Sequence, residues 1–186
     1  MKKYIYTVML ILTSITIVQA QRMLPRQKGL EVNAGVLSND KIGNDYYINA
    51  TMTVNGKNGN YQLWALEYAH QYYQYKDLRI PQETYTAEGG YSFLLLCDAR
   101  KNITFNAAIT GVVGYESINR SEELLFDGAK IVSEDNFIYG AGGRLSFETY
   151  LSDRFVLVLQ GRTKVLWGTD LKQLRPSAGV GLRFNF

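Results

Sequence analysis

This sequence of 186 residues predicts an all-β fold, an eight-stranded antiparallel up-and-down transmembrane β-barrel. Three observations carry the prediction. Apolar and polar residues alternate through eight segments of about ten residues or more, the pattern of strands whose two faces meet different surroundings. The first segment, MKKYIYTVMLILTSITIVQA, has two lysines, no charge from Tyr4 to Val18, and a small-residue cleavage pattern at Val18-Gln19-Ala20, so residues 1–20 read as a secretory signal peptide. The last segment, SAGVGLRFNF, puts Ala178, Val180, Leu182, Phe184 and Phe186 on one face and ends the chain on an aromatic. That form resembles the C-terminal sorting signal of bacterial outer-membrane barrels, with Val180, Leu182, Phe184 and Phe186 as its signal residues.

The elements follow in order. Strand one is expected near residues 28–37, with Leu30, Val32, Ala34 and Val36 opposite Glu31, Asn33 and Gly35. Strand two runs near 46–54, with Tyr46, Ile48, Ala50, Met52 and Val54 on its apolar face, and NGKNG at 55–59 supplies residues that tolerate positive φ for a turn. Strand three, 61–75, sets Trp64, Leu66 and Tyr68 against Glu67. Strand four, 83–96, sets Tyr85, Ala87, Tyr91 and Phe93 against Thr84, Thr86, Glu88 and Ser92, and CDARKN makes the next tight turn. Strand five, 103–116, opposes Ile103, Phe105, Ala107, Ile109 and Val113 to Thr104, Asn106, Thr110 and Glu116. Strand six, 137–151, opposes Phe137, Tyr139, Ala141, Leu145 and Phe147 to Gly140, Gly142, Arg144, Ser146 and Glu148. After SDR, strand seven, 155–167, opposes Phe155, Leu157, Leu159, Val165 and Trp167 to Gln160, Arg162 and Lys164, and the terminal segment is strand eight. Tilted strands of this length cross the hydrocarbon of a bilayer.

Alternation alone does not say which face is inside, and a secreted lipocalin-like barrel has the same period. Composition decides between them. The polar face is rich in Gly, Ser, Ala and Thr, which suits the crowded interior of an eight-stranded barrel. Its charged residues, Glu31, Glu67, Glu88, Glu116 and Glu148 against Arg144, Arg162, Lys164 and Arg183, are nearly balanced, as a buried set must be if its members are to pair. The other face carries no charge in any strand core, and an arginine there would cost roughly 2–4 kcal/mol near the bilayer midplane. These nine residues are therefore expected to form a lumen charge network, with Arg144 and Arg183 pairing Glu148, Glu67 or Glu88 across neighbouring strands.

The aromatic residues then acquire a location. Tyr46, Tyr47, Tyr72, Tyr73, Tyr75, Tyr85, Tyr115 and Tyr139 fall near one set of strand ends, and Phe93, Phe105, Phe147, Phe155, Phe184 and Phe186 toward the other. They are expected to form two girdles at headgroup level. An even strand number puts both termini on one side, periplasmic in outer-membrane barrels. The short turns 55–59, 97–102 and 152–154 share that side, and the connections 38–45, 74–82, 117–136 and 168–176 face outward. Asp127-Gly128 between two apolar runs predicts a protruding extracellular hairpin near 117–136; the competing reading is a disordered acidic loop.

The remaining composition is mainly exclusionary. Cleavage after Ala20 removes Lys2 and Lys3, leaving 18 basic residues of the 20 against 17 acidic ones, and no basic stripe with interleaved aromatics is present, so no direct nucleic-acid binding is expected. Cys97 is the one cysteine and has no partner for an internal disulfide; Gln21, at the expected mature N-terminus, is not a lipid-bearing cysteine. His70 is the one histidine. No serine lies within two positions of it, and although Glu88 stands near on strand four, an enzyme is not expected: catalytic, metal and cofactor-binding residues are predicted as none.

The stretch QAQRMLPRQKGLEVNAGVL at 19–37, with the eight-strand pattern and the terminal GVGLRFNF, resembles the TraO conjugal transfer proteins of Bacteroides-type conjugative transposons. The resemblance implies an outer-membrane component of a conjugative DNA-transfer apparatus and no catalytic residues. An eight-stranded barrel is too narrow to conduct DNA, so the implied role is anchor, assembly factor or surface contact; the alternatives are a free-standing OmpX-like barrel for adhesion or defence and, more remotely, a lipid A-modifying enzyme. Expected partners are outer-membrane lipid, the barrel-assembly machinery through the terminal strand, and other transfer proteins. Residues 21–28 are expected to form a periplasmic arm ahead of the barrel at 29–186, with exposed Met23 and Leu24, beside Arg22 and Arg26, docking on another component; a disordered leader is the other reading.

Overall fold

The structure, a computed structural model, describes residues 23–37, 45–75, 78–118, 136–169 and 171–186. The signal segment, Arg22 of the arm and residues 119–135 of the expected hairpin lie outside these. The described residues form eight antiparallel strands in one closed barrel, each paired with its sequence neighbour and β1 with β8. They are β1 (Lys28–Leu37), β2 (Tyr46–Asn55), β3 (Tyr61–Tyr75), β4 (Leu78–Cys97), β5 (Ile103–Ile118), β6 (Asn136–Tyr150), β7 (Phe155–Trp167) and β8 (Leu174–Asn185).

Two strands begin several residues earlier than the sequence pattern suggests. β4 begins at Leu78 because its ladder with β3 continues through Tyr72↔Pro81 to Tyr75↔Leu78, so most of the connection expected at 74–82 is paired strand. β8 begins at Leu174, and Pro176 pairs with Thr163. Proline reads as a breaker from sequence, but a strand accepts it wherever the ladder does not require its missing N–H. Closure runs from Gly29↔Asn185 to Leu37↔Ser177, and Lys28 and Phe186 exchange backbone hydrogen bonds at the seam (3.3 and 2.8 Å).

Parity sets the two faces. Leu66 and Ile109 are 67% and 69% exposed on the outside, whereas Glu31 and Glu148 on the opposite parity are fully buried. Apolar side chains thus cover the exterior and polar ones fill the interior, the reverse of a soluble barrel. The pattern shifts once, at a bulge between Leu94 and Leu96 in β4. The extra residue lets Leu95 and Leu96 both face outward while Leu94 packs against an interior cluster at the end where the chain termini lie.

The interior is less uniformly polar than expected. Val112, Ile138 and Leu166 form one buried apolar cluster, and Leu37, Tyr47 and Ala69 another. Tyr47, expected in the outer aromatic girdle, instead points inward and is fully buried, because it lies one residue out of phase with Tyr46. Two glycines make its position possible: a Cβ on Gly35 would stand 2.6 Å from the Tyr47 ring and one on Gly179 2.2 Å from its hydroxyl. Of the other girdle residues, Tyr46, Tyr72, Tyr85, Tyr115, Tyr139, Phe93, Phe147, Phe155, Phe184 and Phe186 are exposed on the exterior, and Phe105 is half-exposed there. The side chains of Tyr73 and Tyr75 lie outside the described set.

Candidate functional site

The alternation that makes the exterior apolar puts ten charged residues of the described strands into a lumen too narrow for bulk water. Ionised groups survive there only by pairing, and the pairs are arranged in three tiers along the barrel axis.

The tier nearest the chain ends, on the side expected to be periplasmic, is built on Arg183 of β8, which is 1% exposed. Its Nε donates to Glu31 Oε2 (2.8 Å); Nη1 donates to Glu148 Oε2 (2.8 Å), and Nη2 to Glu148 Oε1 (3.0 Å) and the Tyr61 hydroxyl oxygen (3.2 Å). The guanidinium also lies 4.7 Å from the Tyr61 ring centroid. Tyr61 donates to Glu148 Oε1 (2.6 Å), and Arg144 Nη2 donates to Glu31 Oε1 (2.7 Å). Arg144 therefore pairs with Glu31, across the lumen from β6 to β1. The expected pairing of Arg183 with Glu148 is present (2.8 Å), whereas Arg144 meets Glu31 and not Glu148, Glu67 or Glu88, because strand parity sends these side chains to a common centre where distant strands meet.

In the middle tier Glu67 accepts from both Arg162 and Lys164, the latter at 2.7 Å. Lys164 Nζ is also 2.5 Å from Glu88, and the Arg162 guanidinium lies 4.6 Å over the Tyr47 ring. The outward tier joins Glu116 to Arg175 (2.5 Å), with the Thr169 hydroxyl donating to the same carboxylate (2.8 Å). Arg175 falls within the connection expected at 168–176, but β8 begins at Leu174 and turns its side chain into the lumen (7% exposed). It supplies the missing cation. Five glutamates now face five bases, and each tier is neutral by itself.

The tiers leave little space. Two lumen cavities, one between Arg144 and Arg162 and one between Lys164 and Arg175, each measure about 10 Å³, room for no more than about one water. The mouth nearest the chain ends is filled by the arm. Met23 of the arm is 8% exposed and packs with Tyr150, Val156, Val158 and Leu94. The arm is held there by Arg26 N–H to Asn55 C=O (2.7 Å) and Asn55 N–H to Gln27 C=O (2.8 Å). Met23 is therefore not the exposed docking contact expected of it; an apolar side chain at the rim of an apolar-lined mouth buries itself there. Leu24 (42% exposed) and Arg26 remain at the surface.

His70 has the outward parity but is only 8% exposed, its ring covered by those of Tyr46 (5.6 Å) and Tyr72 (4.8 Å). Its cross-strand partner is Glu83, and Glu88 points the other way, into the lumen, so the two do not approach. Among the described residues no cluster of His, Cys, Asp or Glu could hold a metal ion. Cys97 is exposed.

A closed eight-stranded barrel with an apolar exterior and an ion-paired interior is a transmembrane barrel of the outer-membrane class, able to satisfy every backbone group within the bilayer and to bury its charges away from lipid. Within that class the chain belongs to the TraO family of conjugative transposon proteins, whose sequence model matches residues 24–186. No curated protein matches the chain. Among solved structures it is similar to Neisserial surface protein A, NspA (TM-score 0.57, 13% identity, 86% of this chain and 97% of that one). It is likewise similar to Ail, the attachment invasion locus protein of Yersinia pestis, in complex with the heparin analogue sucrose octasulfate (TM-score 0.57, 10% identity, 88% and 100%). The N-terminal β-barrel domain of Pseudomonas aeruginosa OprF shares the fold as well (TM-score 0.50, 11% identity, 87% and 98%). At these identities the likeness is one of fold.

Proposed function

We propose that this TraO-family barrel serves the conjugative transfer apparatus as a fixed outer-membrane component, an anchor, assembly factor or surface contact, and not as the path of DNA. The filled lumen is the observation that carries this reading. Ion-paired tiers that interlock strands from opposite walls, with Met23 closing the periplasmic mouth, favour rigidity over passage. Opening a duplex-sized channel would require breaking all three tiers, each pair costing about 3–5 kcal/mol when one partner is lost.

The surfaces left for function are then the outward connections and the periplasmic rim. Residues 119–135 form the longest connection, and the arm with Leu24 and Arg26 lies at the rim. The C-terminal residues Val180, Leu182, Phe184 and Phe186 face the exterior, and this row is the proposed sorting signal for the barrel-assembly machinery. Deletion of the gene in donor cells, with complementation by a tagged copy, tests the proposal. The expected result is loss of conjugation on deletion and co-purification of other transfer proteins with the tagged barrel from outer membranes. Unchanged conjugation frequency, with the barrel recovered alone, refutes it and leaves a free-standing surface barrel.

A further inference from the structure

Charge outside the strand cores is segregated by side. The barrel has four positions on its periplasmic rim: the seam where β1 meets β8, and the β2–β3, β4–β5 and β6–β7 turns. Each carries exposed cations, Arg26 and Lys28 at the seam, Lys57 in the second, Arg100 and Lys101 in the third, and Arg154 in the fourth. The acids of these turns are Asp98 and Asp153, both half-buried, and Asp98 is committed to its turn, accepting from the Asn102 and Ile103 amides (2.5 and 3.1 Å). The outward connections, 38–45, 76–77, 119–135 and 168–173, hold nine carboxylates and five cations in sequence.

The position of the six cations identifies their partner. They are spread over the entire circumference and are not gathered on one flank, so no compact protein epitope faces them all. They also stand at the lower edge of the lipid-facing belt, where Leu95 (51% exposed), Leu96 (70%), Leu151 (61%) and Phe186 (64%) are the last apolar side chains before the turns. That level is occupied by the headgroups of the inner leaflet. Long lysine and arginine side chains reach phosphates there while their stems stay on apolar surface.

We infer that the six cations form a ring that binds anionic phospholipid headgroups of the inner leaflet, fixing the depth and orientation of the barrel. The inference rests on the membrane reading of the fold. A cation near an anionic membrane surface is worth roughly 1 kcal/mol, a factor of about five in lipid affinity, and this attraction fades as salt screens it.

The test uses the full-length mature protein folded into vesicles of phosphatidylcholine alone or with added phosphatidylglycerol. The urea unfolding midpoint is compared for wild type, Lys57→Gln, and a variant with all six cations changed to Gln. The expected result is a higher wild-type midpoint with phosphatidylglycerol, a gain that shrinks at high salt. Lys57→Gln should lose part of that gain and the six-site variant all of it, with midpoints in phosphatidylcholine unchanged. If the six-site variant does not fold, the Lys57→Gln comparison decides. Equal phosphatidylglycerol gains in wild type and Lys57→Gln overturn the ring. So does a wild type indifferent to phosphatidylglycerol whose variant loses an acidic periplasmic protein from donor-envelope pull-downs, which would make the rim a protein-docking surface. Failure of the wild type to fold into phosphatidylcholine vesicles at all instead overturns the membrane reading itself.

Discussion

Arg183→Ala removes the side chain on which the periplasmic tier converges. The guanidinium reaches both Glu31 and Glu148 within 2.8 Å and the Tyr61 hydroxyl at 3.2 Å, and neither glutamate has any solvent exposure. Losing it leaves two carboxylates and one cation, Arg144, where two of each stood. Glu148 keeps only the neutral donors Tyr61 and Ser146, too little to hold a buried charge. Breaking a buried pair costs about 3–5 kcal/mol. With m near 2 kcal/mol per molar urea, the midpoint should fall by about 2 M. Arg144→Ala should cost less, because Glu31 retains Arg183 and the Asn33 amide (2.9 Å). In Arg183→Ala/Glu148→Ala the orphaned carboxylate is gone, and part of the stability should return, as a coupling energy in a double-mutant cycle. Urea titration of the heat-modifiable band in lipid vesicles measures all three. An unchanged midpoint for Arg183→Ala, or a larger loss for Arg144→Ala, refutes the tier assignment.

Other consequences are as direct. Gly179→Ala sets a methyl against the Tyr47 hydroxyl and the Ala34 carbonyl (2.2 and 2.6 Å) and should lower stability by about 1–3 kcal/mol, read from the same midpoint; no change would mean Tyr47 has room to move. Met23→Ser should free the arm from the periplasmic mouth, so limited proteolysis should cut within residues 23–27 in the variant and spare the wild type, and equal protection would show that backbone pairing to Asn55 suffices. Deletion of Phe186, which ends the exterior row and exchanges backbone hydrogen bonds with Lys28, should reduce the inserted fraction in cell envelopes, and normal levels would count against a sorting role. Replacing residues 21–28 by a Gly/Ser linker of equal length should lower conjugation frequency while the barrel still inserts, if Leu24 and the arginines dock on a partner; undiminished transfer would shift attention to the outward connections.

Much of this molecule is legible in one dimension because a strand's side chains obey a strict period of two. Glu31 between Leu30 and Val32, or Arg183 between Leu182 and Phe184, declares its face from its neighbours alone, so the strand count, the apolar exterior and nine of the ten lumen charges follow from the sequence. The tenth is Arg175, which brings the five acids and four bases expected from the sequence to five of each. That residue lies in the connection expected at 168–176, and only the pairing of β8 with β7 shows that the ladder runs on through Pro176 to Leu174. The limit is physical. Alternation says which wall a side chain leaves, not which opposite wall it meets: Glu31 with Arg144 joins β1 to β6, Glu67 with Lys164 joins β3 to β7, and Glu116 with Arg175 joins β5 to β8. Those partners are set by strand tilt and barrel closure. The same is true of Met23, whose exposed look in the sequence gives way because closure creates an apolar mouth within its reach.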